Sequence, residues 1–266
     1  MSSRIIFSIS SDFGIALAEN WLNKGFEVVG TYRTYSNELN YLAKRGVKLY
    51  KCDCSDRKSI DEACSLLKLI SWDVLCVAPA SLEPVGDFEK IDINIWEESI
   101  YLNFTSNMRI IHQMLPGRNL KFKNGPLVIL FAGGGTNSST KNYSAYTVSK
   151  IAQIKMTELL DAEIMDSRFT IIGPGWVKTK IHKSTINAGE KLAGENYKRT
   201  IDMLDKANSL SISKVVDCCN WAIKSERQIV SGRNISLVFD NWGDSILDEQ
   251  LKNDPDMYKL RRHRNN

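Results

Sequence analysis

The sequence predicts one α/β domain built on a doubly wound parallel sheet of about seven strands. Three observations lead there. Short apolar runs alternate with amphipathic stretches of about ten or more residues along the chain, the mark of right-handed βαβ units. No repeat, linker or low-complexity segment divides the 266 residues, and one α/β domain commonly fills that length. The composition, 43% hydrophobic and 25% charged, suffices to bury a sizeable core.

The elements follow in order. Arg4–Ser8 reads as a first buried strand, and Gly14–Lys24 as a helix with Leu17, Ala18, Trp21 and Leu22 close to one face. Phe26–Thr31 is a second strand, Asn37–Arg45 a helix, Val47–Tyr50 a third strand and Asp56–Ile70 a helix. Asp73–Val77 is a fourth strand. Ile95–Met114 reads as one long helix that stops near Pro116. Pro126–Phe131 is a fifth strand, followed by a Gly- and Ser-rich loop from Ala132 to Asn142 and a long helix, Ser144–Met165. Phe169–Ile172 is a sixth strand, 178–210 a polar and partly helical segment, Ser213–Lys224 a helix and Asn234–Phe239 a seventh strand.

Composition excludes several classes of function. No run of about 18 apolar residues occurs, so no membrane span is expected. The first residues lack the charged, apolar and small-residue regions of a signal peptide, and the six cysteines read as free thiols in a reducing cytoplasm. Neither Cys52/Cys54 nor Cys218/Cys219 has zinc-ligand spacing, and the three histidines are far apart, so no metal site is expected. The net charge of +4 owes much to the tail residues Lys259, Arg261, Arg262 and Arg264. With no basic, aromatic-interleaved stripe elsewhere, nucleic acid is not expected as a partner.

The segment Tyr143-Ser144-Ala145-Tyr146-Thr147-Val148-Ser149-Lys150 carries the chemistry. Tyr146 and Lys150 are four apart and share a helix face. There an ammonium is expected to lower the phenol pKa by favouring phenolate, and a tyrosine so tuned exchanges a proton with a carbonyl or alcohol. The pair opens a long helix after a strand and a glycine-rich loop, in the middle of an α/β chain.

With these residues the chain resembles the short-chain dehydrogenase/reductase family over almost its whole length, which implies a Rossmann-like dinucleotide-binding domain. By that resemblance Tyr146 and Lys150 are the catalytic pair, and Asn103 completes the proton relay by holding a water. Pro174 and Gly175 lie where the family approaches the nicotinamide, and Val177 and Thr179 where it touches the carboxamide and phosphates. Ser231-Gly232-Arg233 resembles the family's C-terminal segment. The segment 178–210 is expected to close over substrate as a lid, and the long helices to associate, giving a homodimer or homotetramer.

The departures are equally specific. The family's T-G-x-x-x-G-x-G turn aligns with Phe7-Ser8-Ile9-Ser10-Ser11-Asp12-Phe13-Gly14, where only the last glycine remains. Ser8, Ser10 and Ser11 are small enough to replace glycines and can offer hydroxyls to a pyrophosphate. Asp12 can cap the helix, but its charge opposes a phosphate. Val77-Ala78-Pro79-Ala80 replaces the family's N-N-A-G. The serine that orients the substrate carbonyl is missing: Ala132 or Gly133 stands in its place, leaving Thr136, Ser138, Ser139 or a hydroxyl of the substrate as substitutes.

The second strand ends in Gly30-Thr31-Tyr32-Arg33-Thr34, without an acid to hold ribose hydroxyls, while Arg33 can pair with a 2′-phosphate. NADP(H) is therefore preferred over NAD(H). Asp53 lies where the family contacts the adenine. The lid's basic residues, Lys178, Lys180, His182, Lys183, Lys191, Lys198 and Arg199, suit a phosphorylated or nucleotide-linked substrate. The loop Gly133-Gly134-Gly135 and the ending Leu237–Trp242 are similar to a subgroup linked with bacterial surface-sugar biosynthesis. The expected activity is thus NADP(H)-dependent interconversion of a carbonyl and a secondary alcohol, with a sugar or nucleotide-sugar as candidate substrate. A second reading, drawn from the altered turn and missing serine, is a non-catalytic dinucleotide-binding or regulatory protein.

Overall fold

The computed structural model describes residues 3–205 and 210–262. Its centre is a seven-stranded sheet in the order β3-β2-β1-β4-β5-β6-β7, with every neighbouring pair parallel. The strands are β1 (Ser3–Phe7), β2 (Glu27–Tyr32), β3 (Lys48–Lys51), β4 (Val74–Val77), β5 (Leu127–Phe131), β6 (Arg168–Gly173) and β7 (Arg233–Ser236). Helices α1 (Asp12–Asn23), α2 (Asn37–Lys44), α3 (Arg57–Leu67), α4 (Ile93–Ile100), α5 (Ser106–Met114) and α6 (Ser144–Glu163) link the first six strands.

The strands read as unbroken apolar runs because both sheet faces are covered. Successive side chains point to opposite faces. Ile6, Val28, Cys76 and Ile129 pack with Leu17, Trp21, Val215 and Cys219 on one side, while Ile5, Val29, Leu75 and Val128 pack with Ile60, Ile110 and Ile154 on the other. Trp21 Nε1 donates to Asn220 Oδ1 at 3.2 Å, tying α1 to α9 (Ile212–Lys224).

Strand order reverses between β1 and β4, so the carboxyl ends of these two strands diverge and leave a crevice, the usual ligand site of such a sheet. The segment after β6 leaves the sheet over this crevice. It forms a 3-10 turn (Lys180–His182), α7 (Lys183–Ala193) and α8 (Glu195–Asp205), with α7 broken at Gly189, where φ is +71°. The expected lid boundary takes in residues 206–209, which lie outside the described residues, as does the tail's Arg264.

Four expectations need correction. The helix read as Ile95–Met114 is α4 and α5 joined by a π-helical turn, Tyr101–Thr105. Hydrophobic periodicity does not register that one-residue insertion. The first helix begins at Asp12 rather than Gly14, because the Ser11 hydroxyl accepts a hydrogen bond from Gly14 N at 3.1 Å; Ser11, not Asp12, is the cap. The last strand ends at Ser236 rather than Phe239, since Ser236 N turns to donate to Asp240 Oδ2 at 2.6 Å. Beyond it, α10 (Arg227–Val230) precedes β7 and α11 (Ser245–Asn253) follows, two helices the sequence reading omits. The buried Arg233 guanidinium fastens the chain end to β7 by donating to the carbonyls of Met257, Leu251 and Asp254. No described helix is long and apolar enough to cross a membrane.

Candidate active site

The turn after β1 is tight because the chain reverses directly into α1. Ser8 sits there with φ +67°, a left-handed conformation that costs a side-chain-bearing residue about 1–2 kcal/mol. It is held by the end of β2: Ser8 N donates to Thr31 Oγ1 at 3.2 Å and Ile9 N to Thr31 O at 2.8 Å. Gly14 packs so closely on this turn that an added Cβ would lie 2.7 Å from Ser8 O and from Ile9 Cα. The retained glycine is therefore a packing requirement. Ser8, Ser10 and Ser11 line a cavity of about 1240 Å³ at the carboxyl ends of the strands, larger than the roughly 300–1,000 Å³ of ordinary small-molecule pockets.

Asp12 stands at the head of α1, also on the cavity wall. Its Oδ2 accepts from Lys180 N at 2.7 Å, and its Oδ1 is 3.9 Å from Lys180 Nζ. The carboxylate thus ties the turn after β1 to the segment after β6. Nothing local in the sequence signals this pairing, since the two residues are 168 apart.

Tyr146 and Lys150, from the first turns of α6, meet in the cavity wall beside the end of β5. Lys150 is 3% exposed; its Nζ donates to Phe131 O at 2.9 Å and to Gln153 Oε1 at 3.2 Å, and lies 5.7 Å from the Tyr146 ring centroid. Burial pushes the lysine pKa down to about 7. Burial likewise pushes the Tyr146 phenol up to about 12. This corrects the expectation that the lysine lowers the phenol: desolvation governs both groups, and the ammonium's two resolved bonds go to Phe131 and Gln153.

Gly133, in the loop after β5, faces the pair. A Cβ there would fall 2.7 Å from the Tyr146 hydroxyl and 2.8 Å from Lys150 Cγ. Thr136 and Ser138 line the same cavity. Ser139 is not part of the wall.

Asn103 is fully buried in the π-helical turn. Its side-chain oxygen accepts from Ser81 N at 2.8 Å, and its amide donates to Ser81 O at 2.9 Å and Ser99 Oγ at 3.1 Å. Its backbone carbonyl accepts from Gln153 Nε2 at 2.7 Å. Gln153 therefore spans Lys150 and Asn103 directly, where the sequence reading sets a water; a glutamine three residues after the lysine has no signature of its own.

Pro174, Gly175, Val177 and Thr179 also line the cavity, together with Trp176, whose ring stacks on His182 at 4.4 Å and 16°. His182 Nε2 is 2.9 Å from Val177 O, and burial holds the imidazole pKa below its usual value despite that contact. Arg33 reaches the far end of the cavity as an exposed side chain. Asp53 does not line the cavity. Burial pushes its carboxyl up, but hydrogen bonds from Ser55 and the charge of Arg33 outweigh that and hold it below the usual range. Gly14 and Asn103 do not line the cavity either. Of the basic residues expected in a lid, Lys180, His182 and Arg199 reach the cavity, while Lys198 pairs with Glu190 at 2.9 Å. Lys259 and Arg261 of the chain end line it too, and Arg261 is paired with Glu158 at 2.9 Å.

A family profile described as Enoyl-(Acyl carrier protein) reductase matches residues 9–237. The chain is 24% identical over 238 residues to a Dictyostelium discoideum protein named Dehydrogenase/reductase SDR family protein 7-like, covering 84% of this chain and 70% of that one. A short-chain dehydrogenase/reductase structure from Saccharomyces cerevisiae superposes with a TM-score of 0.78 at 21% identity, covering 94% of this chain and 99% of that one. A Burkholderia multivorans short-chain dehydrogenase/reductase with bound NADP gives a TM-score of 0.70 at 18% identity, covering 91% and 98%. At these identities the structural likeness is one of fold.

Proposed function

Because the chain belongs to the short-chain dehydrogenase/reductase family of oxidoreductases, we propose that it interconverts a carbonyl group and a secondary alcohol with NADP(H). The observation that carries this reading is the meeting of Tyr146 and Lys150 in the wall of a cavity at the sheet's carboxyl edge. A dinucleotide fits the residues present. The head of α1 with Ser10 and Ser11 offers donors to a pyrophosphate, Arg33 a cation to a 2′-phosphate, and Thr179 with Val177 a wall for the carboxamide. The cofactor supplies the hydride when bound and takes it back in the reverse direction.

Tyr146 holds its proton at neutral pH, since burial raises the phenol to about 12. It is therefore set to donate that proton to the oxygen of a carbonyl undergoing reduction. Lys150 keeps a third N–H beyond those given to Phe131 and Gln153, available for a ribose hydroxyl or the developing phenolate. In alcohol oxidation the proton moves the other way, from substrate hydroxyl to Tyr146 phenolate. With Gly133 facing Tyr146, a hydroxyl of Thr136 or Ser138, or one carried by the substrate, takes the orienting role of the missing serine.

The polar loop 134–140 and the cations Arg199 and Lys259 favour a polyhydroxylated or anionic substrate, such as a sugar or nucleotide-linked sugar. Exposed Val148 and Leu159 on α6 support association through this helix. The test is a screen of keto sugars, sugar nucleotides and simple ketones by loss of NADPH absorbance, with NADH in parallel. Turnover with NADPH supports the reading. Cofactor binding without turnover across the screen supports instead a dinucleotide-binding regulator, the reading that the lack of an orienting serine at Gly133 favours.

A further inference from the structure

Lys150 is a buried ammonium whose two protein acceptors come from different elements: the Phe131 carbonyl from β5 and the Gln153 amide from its own helix. The first is fixed by the sheet. The second is a side chain, and its orientation needs a cause. Gln153 is fully buried, and its Nε2 donates to the Asn103 carbonyl at 2.7 Å. A carbonyl only accepts, so the amide nitrogen must face Asn103 and the amide oxygen must face Lys150. The alternative flip would set oxygen against oxygen and nitrogen against ammonium. Asn103 lies in the π-helical turn, where the regular helical ladder is interrupted, and its carbonyl takes side-chain donors from Gln153 and from Asn107, the latter at 3.1 Å.

We propose that Gln153 is the positioning residue of the site: it holds the Lys150 ammonium against Phe131 with its amide oxygen, while its amide nitrogen is locked on the Asn103 carbonyl. The inference rests on the oxidoreductase reading for its consequence but not for its geometry. A buried ammonium loses most of its hydration, and each acceptor offsets part of that loss. With burial already drawing Lys150 down to about 7, the Gln153 acceptor helps decide whether the lysine is charged at neutral pH. Among the described residues no other side chain accepts a hydrogen bond from Lys150. Tyr146 is the titratable neighbour on α6, and β5 brings only Leu127-Val128-Ile129-Leu130-Phe131. The π-helical turn packed on α6 brings Tyr101, whose own burial raises it against the charges of Arg57 on α3 and Arg109 on α5. Burial draws the lysine down, and no charged partner offsets it.

The test follows Lys150 itself. Its titration is read by NMR of labelled lysine side chains in the cofactor-free full chain, the signal being assigned by its loss in Lys150→Met. Gln153→Leu removes the acceptor and is expected to move the titration down by about one pH unit. Gln153→Glu keeps an oxygen there and holds the titration in place or raises it. Turnover by Gln153→Leu falls about tenfold at pH 7 and recovers as the pH is lowered and Lys150 regains its proton, with kcat affected more than KM. A packing defect would not recover with acid. The proposal is overturned if neither variant moves the Lys150 titration, or if both lower it alike. If the titration moves as stated while the unaltered protein reduces no carbonyl, the positioning role stands and the oxidoreductase reading fails.

Discussion

The Tyr146 hydroxyl lies directly over the Gly133 backbone, so close that a Cβ on Gly133 would come within 2.7 Å of it. The loop after β5 therefore has no room for the side chain that the family carries near this point. Gly133→Ser is expected to displace Tyr146 rather than restore an orienting hydroxyl. Overpacking of this kind costs about 1–3 kcal/mol. Thermal melts and turnover measured together check it: both should fall, and a variant that is as stable and more active than the parent would refute the packing argument.

Ser8 occupies a left-handed turn, at φ +67°, that glycine adopts without strain. Ser8→Gly should stabilise the protein by up to about 1 kcal/mol, because relief of the strain exceeds the added flexibility of the unfolded chain. Chemical denaturation checks this. A loss of stability would mean that the Ser8 hydroxyl contributes more than its backbone costs.

Asp12 puts a negative charge at the helix end that otherwise attracts phosphate, and it is tied to Lys180 of the segment after β6. Asp12→Asn keeps an oxygen for the Lys180 N–H and removes the charge. NADPH should bind more tightly by about 1 kcal/mol, roughly a fivefold fall in Kd by fluorescence titration. An unchanged or weaker Kd would show that the carboxylate does not oppose the cofactor.

The depressed Lys150 pKa has a consequence for stability. Its folded value is about 7 against an ordinary 10.5. Between these values the unfolded chain binds a proton that the folded chain does not, so stability from this group rises with pH over that window. Below about pH 7 the charge is present in both states and the burial penalty is complete. Lys150→Met lacks the penalty. Its Tm advantage over the parent should be greatest near about pH 6 and shrink toward about pH 9. An advantage independent of pH would contradict the assignment.

Much of the architecture is legible in the chain because parallel strands covered on both faces appear as continuous apolar runs, as Ile5-Ile6-Phe7 and Leu127–Phe131 do. The pair Tyr146 and Lys150 is legible because helical spacing alone puts them on one face. Other features depend on partners distant in sequence. The π-helical turn at Asn103 leaves the hydrophobic pattern intact, so Ile95–Met114 reads as one helix. Gln153 acquires its role only when Asn103, 50 residues earlier, is folded beside it. The direction of the Tyr146 shift is not legible, because residue type announces the charge of Lys150 but not the desolvation of both groups.

The central claim is that Tyr146 delivers the proton in a hydride-transfer reaction. Tyr146→Phe keeps the ring over Gly133 and removes only the hydroxyl. On a substrate found with the parent enzyme, the variant should bind NADPH with an unchanged Kd and lose at least about a hundredfold in turnover, the scale of general acid catalysis. Turnover equal to that of the parent would contradict the account.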